Sequence, residues 1–366
     1  MSLLTNWWTR GLIAAVVLIL IAIIGFRVFQ VPIMSRVFDA AMESRMTADP
    51  LAELSDGLHV YLCGTGSPIA DDRRAASCVG VVAGDQAFVF DAGSGGIRKL
   101  GRMGFPMGAL ESAFLTHLHS DHIDGLGELL VMAWIGDNAF RSEPLPVRGP
   151  VGTATVVEAF NTAYAFDRNY RVAHHSGTAN PDGYGGRPIE LELPAGPAVS
   201  EIVYEQAGVT IRAIRVDHSP VEPAFGYRID YGGRSVSLSG DTIYHPGFVR
   251  ASEGVDVMLH EGLDPDMVQR LAERMETIGR DVPATLLYDI LDYHASPEDA
   301  ARAASEAGAE ELVFYHIVPP LPMRALNRMW LGESGNLFDG RITVGEDGML
   351  ISLPANSDEI IHTNPL

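Results

Sequence analysis

Lysine is almost absent from this chain of 366 residues. Lys99 is the only one, and 47 acidic residues against 26 basic residues give a formal net charge of −21. Proteins that hold nucleic acid over a long footprint usually carry a basic face that neutralises phosphates. The composition therefore argues against an extended RNA-binding surface, although an acidic chain can still contain a local basic cleft.

Cysteine is scarce as well. Cys63 and Cys78 are the only two, too few for a disulfide framework or for a zinc site built from thiolates. The sequence does not decide whether these two cysteines form a disulfide bridge, so they do not define the redox compartment. Tandem repeats of 20–50 residues are also lacking, while a hydrophobic content of 47% is ample for a sizeable core.

The one long hydrophobic run lies near the N-terminus, from Gly11 to Phe26. A membrane-spanning helix needs about 20 apolar residues, and flanking Trp7, Trp8 and Arg27 can extend this run into the interfaces. A signal peptide is the alternative, but the bulky residues after the run offer no small-residue cleavage site. We predict an uncleaved single-pass anchor over residues 1–32.

The side of the membrane depends on two opposing arguments. Lys and Arg counts nominally place the segment after the anchor inside the cell, because Arg10 precedes the run and Arg27, Arg36 and Arg45 come after it. N-terminal anchors of the bacterial type more often export the domain that they carry, so we predict an extracytoplasmic, periplasmic-type location. Residues 33–57 are predicted to form a juxtamembrane linker.

A cluster of potential metal ligands comes directly after the apolar run Ala113–Leu115. His117, His119, Asp121 and His122 fall within six residues. An apolar run predicts a buried strand, so these side chains are expected on the loop that leaves it. Imidazole and carboxylate are suitable ligands for Zn²⁺ and related divalent ions. The pattern therefore predicts a metal site at the end of this strand.

The order His-x-His-x-Asp-His resembles the signature of the metallo-β-lactamase superfamily. The turn Gly64-Thr-Gly-Ser-Pro68 and the later Asp91-Ala-Gly-x-Gly95 resemble the first strands of its ribonuclease Z branch. The resemblance implies a four-layer αββα sandwich over residues 58–366, with two sheets face to face, helices outside and the site at one edge. This α/β domain would come after the N-terminal transmembrane helix.

The same resemblance implies two divalent metal ions and their ligands. Zinc is the first choice, and manganese or iron are alternatives because ligand type alone does not choose between them. Asp91 would brace the ligand loop through hydrogen bonds. One ion would take His117, His119 and His218, the other Asp121, His122 and His316, and Asp241 would bridge both.

The chemistry implied is ester hydrolysis. Two ions can hold a bridging hydroxide whose pKa falls to near neutral. His294, held by Glu261, resembles the general acid of ribonuclease Z enzymes, and Asp121 would act beside it in the catalytic centre. Ala295 replaces a family serine, while Ser296 is expected to cap the next helix.

The substrate is predicted to be a small phosphodiester or sulfate ester. The stretch from Pro68 to Ala75 lacks the lysine and asparagine of tRNA-processing relatives, and Asp71 and Asp72 would repel a phosphate backbone. Residues 136–205, a predicted substrate lid, lack a basic arm. Arylsulfatase and cyclic-nucleotide phosphodiesterase activities are therefore as plausible as RNA cleavage, and a homodimer is expected from the branch.

Other functions stay open. They are a tRNA 3′-end endoribonuclease, a lactonase or β-lactam hydrolase, an iron-dependent redox protein and a non-catalytic, membrane-tethered metal-binding domain.

Three local expectations concern secondary structure alone. Residues 136–205 are expected to be irregular because proline and glycine are frequent there. Helical segments over 264–290 are expected to break near Pro283, and Arg341–Val344 with Met349–Leu353 to form a terminal hairpin.

Overall fold

Two compact units divide the chain, residues 1–53 and 54–366. Only the backbone is described for residues 44–47, and the computed structural model as a whole describes residues 7–47, 49–136, 140–194, 196 and 199–366.

The described part of the first unit consists mainly of one long helix, α1, from Trp7 to Thr47. Its segment Trp7–Glu43 is long and apolar enough to cross a membrane: an 18-residue window within it has a mean hydropathy of 2.9, and none of that window is buried. At 1.5 Å per residue, 41 residues extend roughly 60 Å, about twice the hydrocarbon thickness of a bilayer. The helix passes through Pro32 and continues into the predicted linker. By length and composition alone, a signal sequence would meet the same description.

The second unit is built on two sheets. Its described strands, in chain order, are β1 Gly57–Gly64, β2 Cys78–Ala83, β3 Gln86–Phe90, β4 Leu110–Phe114, β5 Leu145–Gly149, β6 Gly186–Glu190, β7 Ser200–Gln206, β8 Val209–His218, β9 Val221–Tyr231, β10 Arg234–Leu238, β11 Val257–Leu263, β12 Glu311–Val318, β13 Arg341–Val344, β14 Leu350–Pro354 and β15 Ile361–Thr363.

The helices of this unit flank the sheets. They are α2 Gly96–Arg102, α3 Ser120–Ile123, α4 Leu126–Ile135, α5 Thr153–Ala163, α6 Ala165–His174, α7 Pro246–Ala251, α8 Pro265–Thr277, α9 Asp281–Asp289, α10 Pro297–Ala307 and α11 Asn327–Trp330. Helices α2, α4 and α5 pack on the first sheet, and α7 and α10 on the second.

The first sheet has the order β15-β14-β1-β2-β3-β4-β5-β6 and the second β13-β12-β11-β10-β9-β8-β7. Strands β3 to β6 are parallel, and so are β10 to β13. Parallel strands are normally buried on both faces by crossover helices. The four-layer αββα sandwich predicted from the resemblance is therefore confirmed.

The core between the sheets is aromatic near the site. Phe114 of the first sheet lies 5.1 Å from Phe90 and 5.4 Å from Tyr227 of the second sheet, measured between ring centroids. All three rings are fully buried. Aromatic pairs at this spacing contribute about 0.5–1.5 kcal/mol beyond their buried area. This packing holds the end of β4, which leads into the metal loop, against the second sheet.

The predicted terminal hairpin is wrong. Strand β13 pairs in parallel with β12 in the second sheet, whereas β14 pairs antiparallel with β1 in the first. Two neighbouring short strands suggest a hairpin from sequence alone. Here the few residues between them cross from one sheet to the other, which closes the sandwich.

Two further expectations need correction. The described part of residues 136–205 is not irregular, because it contains β5, α5, α6, β6 and the start of β7. The break predicted near Pro283 lies instead between α8 and α9, where Gly279 has a φ of +76°. Pro283 sits in the first turn of α9, where its missing N–H costs no hydrogen bond.

The two cysteines are paired in the fold. Cys63 at the end of β1 and Cys78 at the start of β2 form a disulfide. Both residues are fully buried. The bridge closes the base of the loop over residues 64–77, which forms one wall of the candidate site.

Candidate metal centre

The candidate site lies where several strands of both sheets end. Strand β4 leads to His117 and His119 and then into α3, which carries Asp121 and His122. In the second sheet, β8 ends at His218, β10 leads to Asp241 and β12 carries His316 near its end. Side chains at the carboxyl ends of neighbouring strands converge at one edge of a sheet. All seven predicted ligands are therefore brought together.

The first group contains three imidazoles. His119 Nδ1 lies 3.0 Å from His117 Nε2 and 3.4 Å from His218 Nε2. With Asp241, whose Oδ2 is 3.8 Å from His117 Nε2, the donor atoms of this group all lie within 4.8 Å of one another. Nitrogen atoms facing one point at this spacing could hold a divalent ion.

The second group contains Asp121, His122 and His316, again within 4.8 Å. Asp121 Oδ2 lies 3.2 Å from His316 Nε2 and 3.4 Å from His122 Nε2. Asp241 Oδ2 is also 3.2 Å from His316 Nε2 and 3.4 Å from His122 Nε2. One oxygen of Asp241 therefore lies close to both groups.

Among the described site residues, four buried side-chain atoms lack a hydrogen-bond partner: His122 Nε2, Asp241 Oδ1, Glu261 Oε2 and His316 Nδ1. His122 Nε2 makes no hydrogen bond to any described group, although the carboxylates of Asp121 and Asp241 each lie 3.4 Å away. Asp241 Oδ1 is likewise buried and unpaired among the described residues. A buried polar atom without a partner costs about 1–3 kcal/mol. A cation beside His122 Nε2 and Asp241 Oδ1 would remove that cost for both atoms, so the residues fit a metal.

Hydrogen bonds orient the imidazoles. Asp91 Oδ2 accepts from His122 Nδ1 at 2.8 Å and from the Thr116 hydroxyl, while its Oδ1 accepts from the Thr116 N–H. The carbonyl of Tyr293 accepts from His218 Nδ1 at 2.9 Å. Each contact turns the Nε2 atom of its ring toward the cluster, as metal sites require. Asp91 thus has the bracing contacts predicted for it.

The backbone is strained at two of these positions. Asp91 and His316 have φ values of +57° and +47°, in the left-handed region. Such residues cost on the order of 1–3 kcal/mol each and persist only where the surroundings hold them. His260 and Gly262 of β11 pair with Phe314 and Ile317 of β12, so β12 has one extra residue between these pairs. This extra residue is a bulge, and it includes the position of His316. The bulge re-aims the His316 ring toward Asp121.

The charges of the site depend on one another. Burial lowers the pKa of His117 well below its ordinary value. Burial also opposes the charged forms of His122 and Asp241. For His122, however, Asp241 and Asp91 outweigh burial and raise the pKa well above the usual range. For Asp241, His316 and His122 outweigh burial and hold the pKa well below its usual range. The site therefore stabilises positive charge beside its buried carboxylates.

The two residues predicted to act as an acid pair, His294 and Glu261, lie in contact. His294 Nδ1 lies 3.0 Å from Glu261 Oε1, which accepts from the Thr242 and Ala295 N–H groups as well. Burial opposes protonation of His294, but the Glu261 carboxylate outweighs it and raises the pKa of this imidazole. The donor atom of His294 also groups with those of Asp241 and His316. His294 is therefore close enough to act at the metal site.

A cavity of about 470 Å³ opens beside Asp121; we call it the metal-side cavity. Its charged lining residues are Arg74, Lys99, Asp71, Asp121 and Asp124. Lys99 Nζ is paired with Asp347, and Arg74 Nη1 lies 3.8 Å from Asp71. The cavity wall therefore carries mixed charge rather than a basic surface.

Some contributors could not be found from sequence patterns. The Tyr293 carbonyl orients His218 from a position 75 residues away, and a backbone oxygen leaves no residue-type signal. Asp347 holds the loop after β1 by accepting from Thr65 and Ala75. Its position after β13, in a turn rich in acidic and glycine residues, resembles an ordinary surface loop.

The sequence is similar to a protein family and to several named bacterial proteins. Residues 87–317 match the family described as "Beta-lactamase superfamily domain". Ribonuclease Z of Mycobacterium bovis is 39% identical over 291 residues, which cover 79% of this chain and 96% of that protein. Ribonuclease Z of Mycolicibacterium gilvum is 37% identical over 290 residues, 79% of this chain and 94% of that protein.

Together with the fold, these similarities define a metal-dependent hydrolase. The chain belongs to the metallo-β-lactamase superfamily, in its ribonuclease Z branch. The short form of human tRNase Z has the same fold, with a TM-score of 0.55 and 23% identity over 81% of this chain and 99% of that chain. The fold recurs in a metallo-β-lactamase fold protein of Bacillus subtilis, with a TM-score of 0.58 and 22% identity over 81% and 100% of the two chains.

Proposed function

We propose that this protein is a dinuclear-metal phosphodiesterase acting on a small ester. His117, His119 and His218 would hold one ion, and Asp121, His122 and His316 would hold the other. The single observation that carries the proposal is the position of Asp241, whose Oδ2 lies between 3.2 and 3.9 Å from donor nitrogens of both groups. A carboxylate so placed could bind a cation in either group.

When bound there, two divalent ions would supply an activated water and would offset negative charge on the ester oxygens. His294 supplies the proton. Its Nδ1 is engaged with Glu261 Oε1, so its Nε2 is the atom free to donate to the leaving oxygen. Glu261 is fully buried and keeps the ring in place while stabilising its protonated form. This pair acts as general acid for alkoxide leaving groups.

The preference for a small ester rests on charge. The loop that walls the metal-side cavity contributes Asp71, and Asp124 also lines this cavity. Both nearby cationic residues are engaged with acidic partners. A wall of mixed charge tolerates one phosphodiester or sulfate monoanion but gains little from a polyanion. Arylsulfatase activity is therefore the related alternative at the same centre.

A second candidate function is tRNA 3′-end endoribonuclease. The observation that favours it is the name ribonuclease Z carried by relatives that are 35–39% identical over 79–82% of this chain. The proposal for a small ester and this alternative share the metals and the acid pair. They differ in whether the protein binds a folded RNA beyond the scissile phosphate.

Zinc is the proposed metal, with manganese or iron as alternatives, because the set contains imidazole and carboxylate but no thiolate. We also propose that α1 anchors the protein and that the catalytic unit lies on the extracytoplasmic side. The Cys63–Cys78 disulfide supports that side, since structural disulfides persist mainly in oxidising compartments. The homodimer expected from the branch stays a prediction.

The test is a substrate panel with the full chain in detergent, loaded with zinc, manganese or iron in turn. The substrates are bis(4-nitrophenyl) phosphate, 4-nitrophenyl sulfate, a γ-lactone, a β-lactam and a precursor tRNA with a 3′ trailer. We expect the phosphodiester to be hydrolysed with the highest kcat/KM. Preferred cleavage of the precursor tRNA would support the endoribonuclease instead, and turnover of the lactone or β-lactam alone would exclude both.

A further inference from the structure

A second cavity adjoins the metal-side cavity. It has a volume of about 460 Å³, and we call it the outer cavity. Ser94, Gly95 and Asp124 line both cavities. Gly95 has a φ of +81° and contributes no side chain to the shared wall. The outer cavity therefore shares a wall with the cavity beside Asp121.

The outer cavity has an apolar floor. Val131, Met132 and Ile135 of α4 line it and are only half-buried. Tyr164 completes the lining, and its ring packs so closely over Gly127 that an added Cβ there would lie 2.4 Å from the ring. Half-buried apolar side chains beside a fixed aromatic ring suit a flat, uncharged group.

The polar rim of the outer cavity is already neutralised. Arg98 Nε lies 2.5 Å from Glu128, and Arg171 Nε lies 2.6 Å from Asp167. Asp124 adds a further negative charge on the shared wall. Each arginine has its own carboxylate, so a second phosphate would gain little attraction there. The ligand chemistry favoured is aromatic and uncharged.

The position of His294 decides which of the two arms of the phosphodiester enters the outer cavity. His294 contacts His218 and His316 and is not among the residues that line either cavity. Its proton goes to the leaving oxygen, so the leaving group lies on the His294 side. The arm that points past Asp121 is therefore the one that stays on phosphorus.

We propose that the outer cavity binds the retained arm of a phosphodiester, and that this arm is an uncharged aromatic group of nucleoside size. The inference rests on the proposed phosphodiesterase function. It narrows the substrate class to esters of a single nucleoside or a similar aryl alcohol, with one negative charge at the metal centre and none beyond it.

The test uses two esters with one leaving group. Thymidine 5′-(4-nitrophenyl) phosphate carries a nucleoside arm, and methyl 4-nitrophenyl phosphate carries only a methyl group; both release 4-nitrophenolate. For the zinc-loaded full chain we expect kcat/KM to favour the thymidine ester at least about tenfold, mostly through KM, because burying an aromatic ring is strongly favourable. Val131→Trp should cover part of the apolar floor where the ring would lie and reduce that ratio to about one.

Ile202→Trp is the matched control. Ile202 is exposed on the edge strand β7, away from both cavities, and this variant should keep the wild-type ratio. Val131→Glu, which places a charge in the cavity without filling it, repeats the test if the tryptophan variant does not fold. Equal kcat/KM values for the two esters in the wild type, or an unchanged ratio in both Val131 variants, would overturn the inference. Failure of both esters in the wild type would instead refute the phosphodiesterase function.

Discussion

His294→Ala separates the two roles that the geometry permits for this imidazole. The ring is bonded to Glu261 through Nδ1, as a general acid would be. Its donor atom also lies within 4.8 Å of those of Asp241 and His316, as a metal ligand could. If it is the acid, the alanine variant keeps both ions and loses proton donation only.

The size of the loss depends on the leaving group. A positioned general acid contributes about 10²–10⁴-fold to the rate when the leaving alkoxide is strongly basic. 4-Nitrophenolate is a stable anion at neutral pH, so its departure gains little from a proton. We therefore expect His294→Ala to lower kcat about 10²–10⁴-fold for an alkyl phosphodiester and less than about tenfold for a nitrophenyl phosphodiester.

The assay measures both rates and the metal content of the same preparation. Tyr293→Phe is the matched control, because Tyr293 orients His218 through its backbone carbonyl and the substitution keeps that group. Equal losses on the two leaving groups would refute the acid assignment. So would a loss of one metal ion per chain, which would instead make His294 a ligand.

Three further changes test the same structure. Asp241→Ala should abolish metal loading and hydrolysis together, as measured by elemental analysis and turnover, since it removes the shared carboxylate; retained metal would exclude the bridging role. Glu261→Gln removes the charge that raises the pKa of His294. Because the acid works when protonated, the rate falls as pH rises through that pKa, and the descending limb of the pH–rate profile should move to lower pH; an unmoved limb would argue against the pair. Cys63→Ser with Cys78→Ser opens a loop of 15-residue separation, which costs about 3 kcal/mol in chain entropy and should lower Tm by several degrees; a Tm equal to that of the oxidised wild type would show that the bridge is not structural.

The metal loop was predictable because its chemistry is local. Four ligand-type residues lie within one short segment after an apolar strand, so no long-range information is needed. His218, Asp241 and His316 are far apart in sequence, and only the family resemblance linked them to that segment. The structure brings all of them together because each lies at or near the carboxyl end of a strand.

Other features depend on long-range packing and could not be predicted. Strands β13 and β14 are neighbours in sequence but join different sheets, because the partners of each lie on opposite sides of the core. The left-handed backbone at His316 belongs to a bulge that only strand pairing defines. Residues 145–149 include a proline, yet they form a parallel strand because they pair with β4 on one side and β6 on the other.

The outer cavity had no sequence signal at all. Val131 and Met132 belong to a helix that is apolar along almost its whole length, and Tyr164 lies more than 30 residues later in the chain. Their meeting depends on how α4 packs against the helices that come after it.

We propose that Asp241 lies between two metal ions in one site. Anomalous diffraction at the zinc absorption edge, on crystals of the zinc-loaded full chain, measures this directly. We expect two peaks, one beside the three imidazoles of His117, His119 and His218 and one beside Asp121, His122 and His316, with Asp241 between them. A single peak, or peaks that do not contact Asp241, would contradict it.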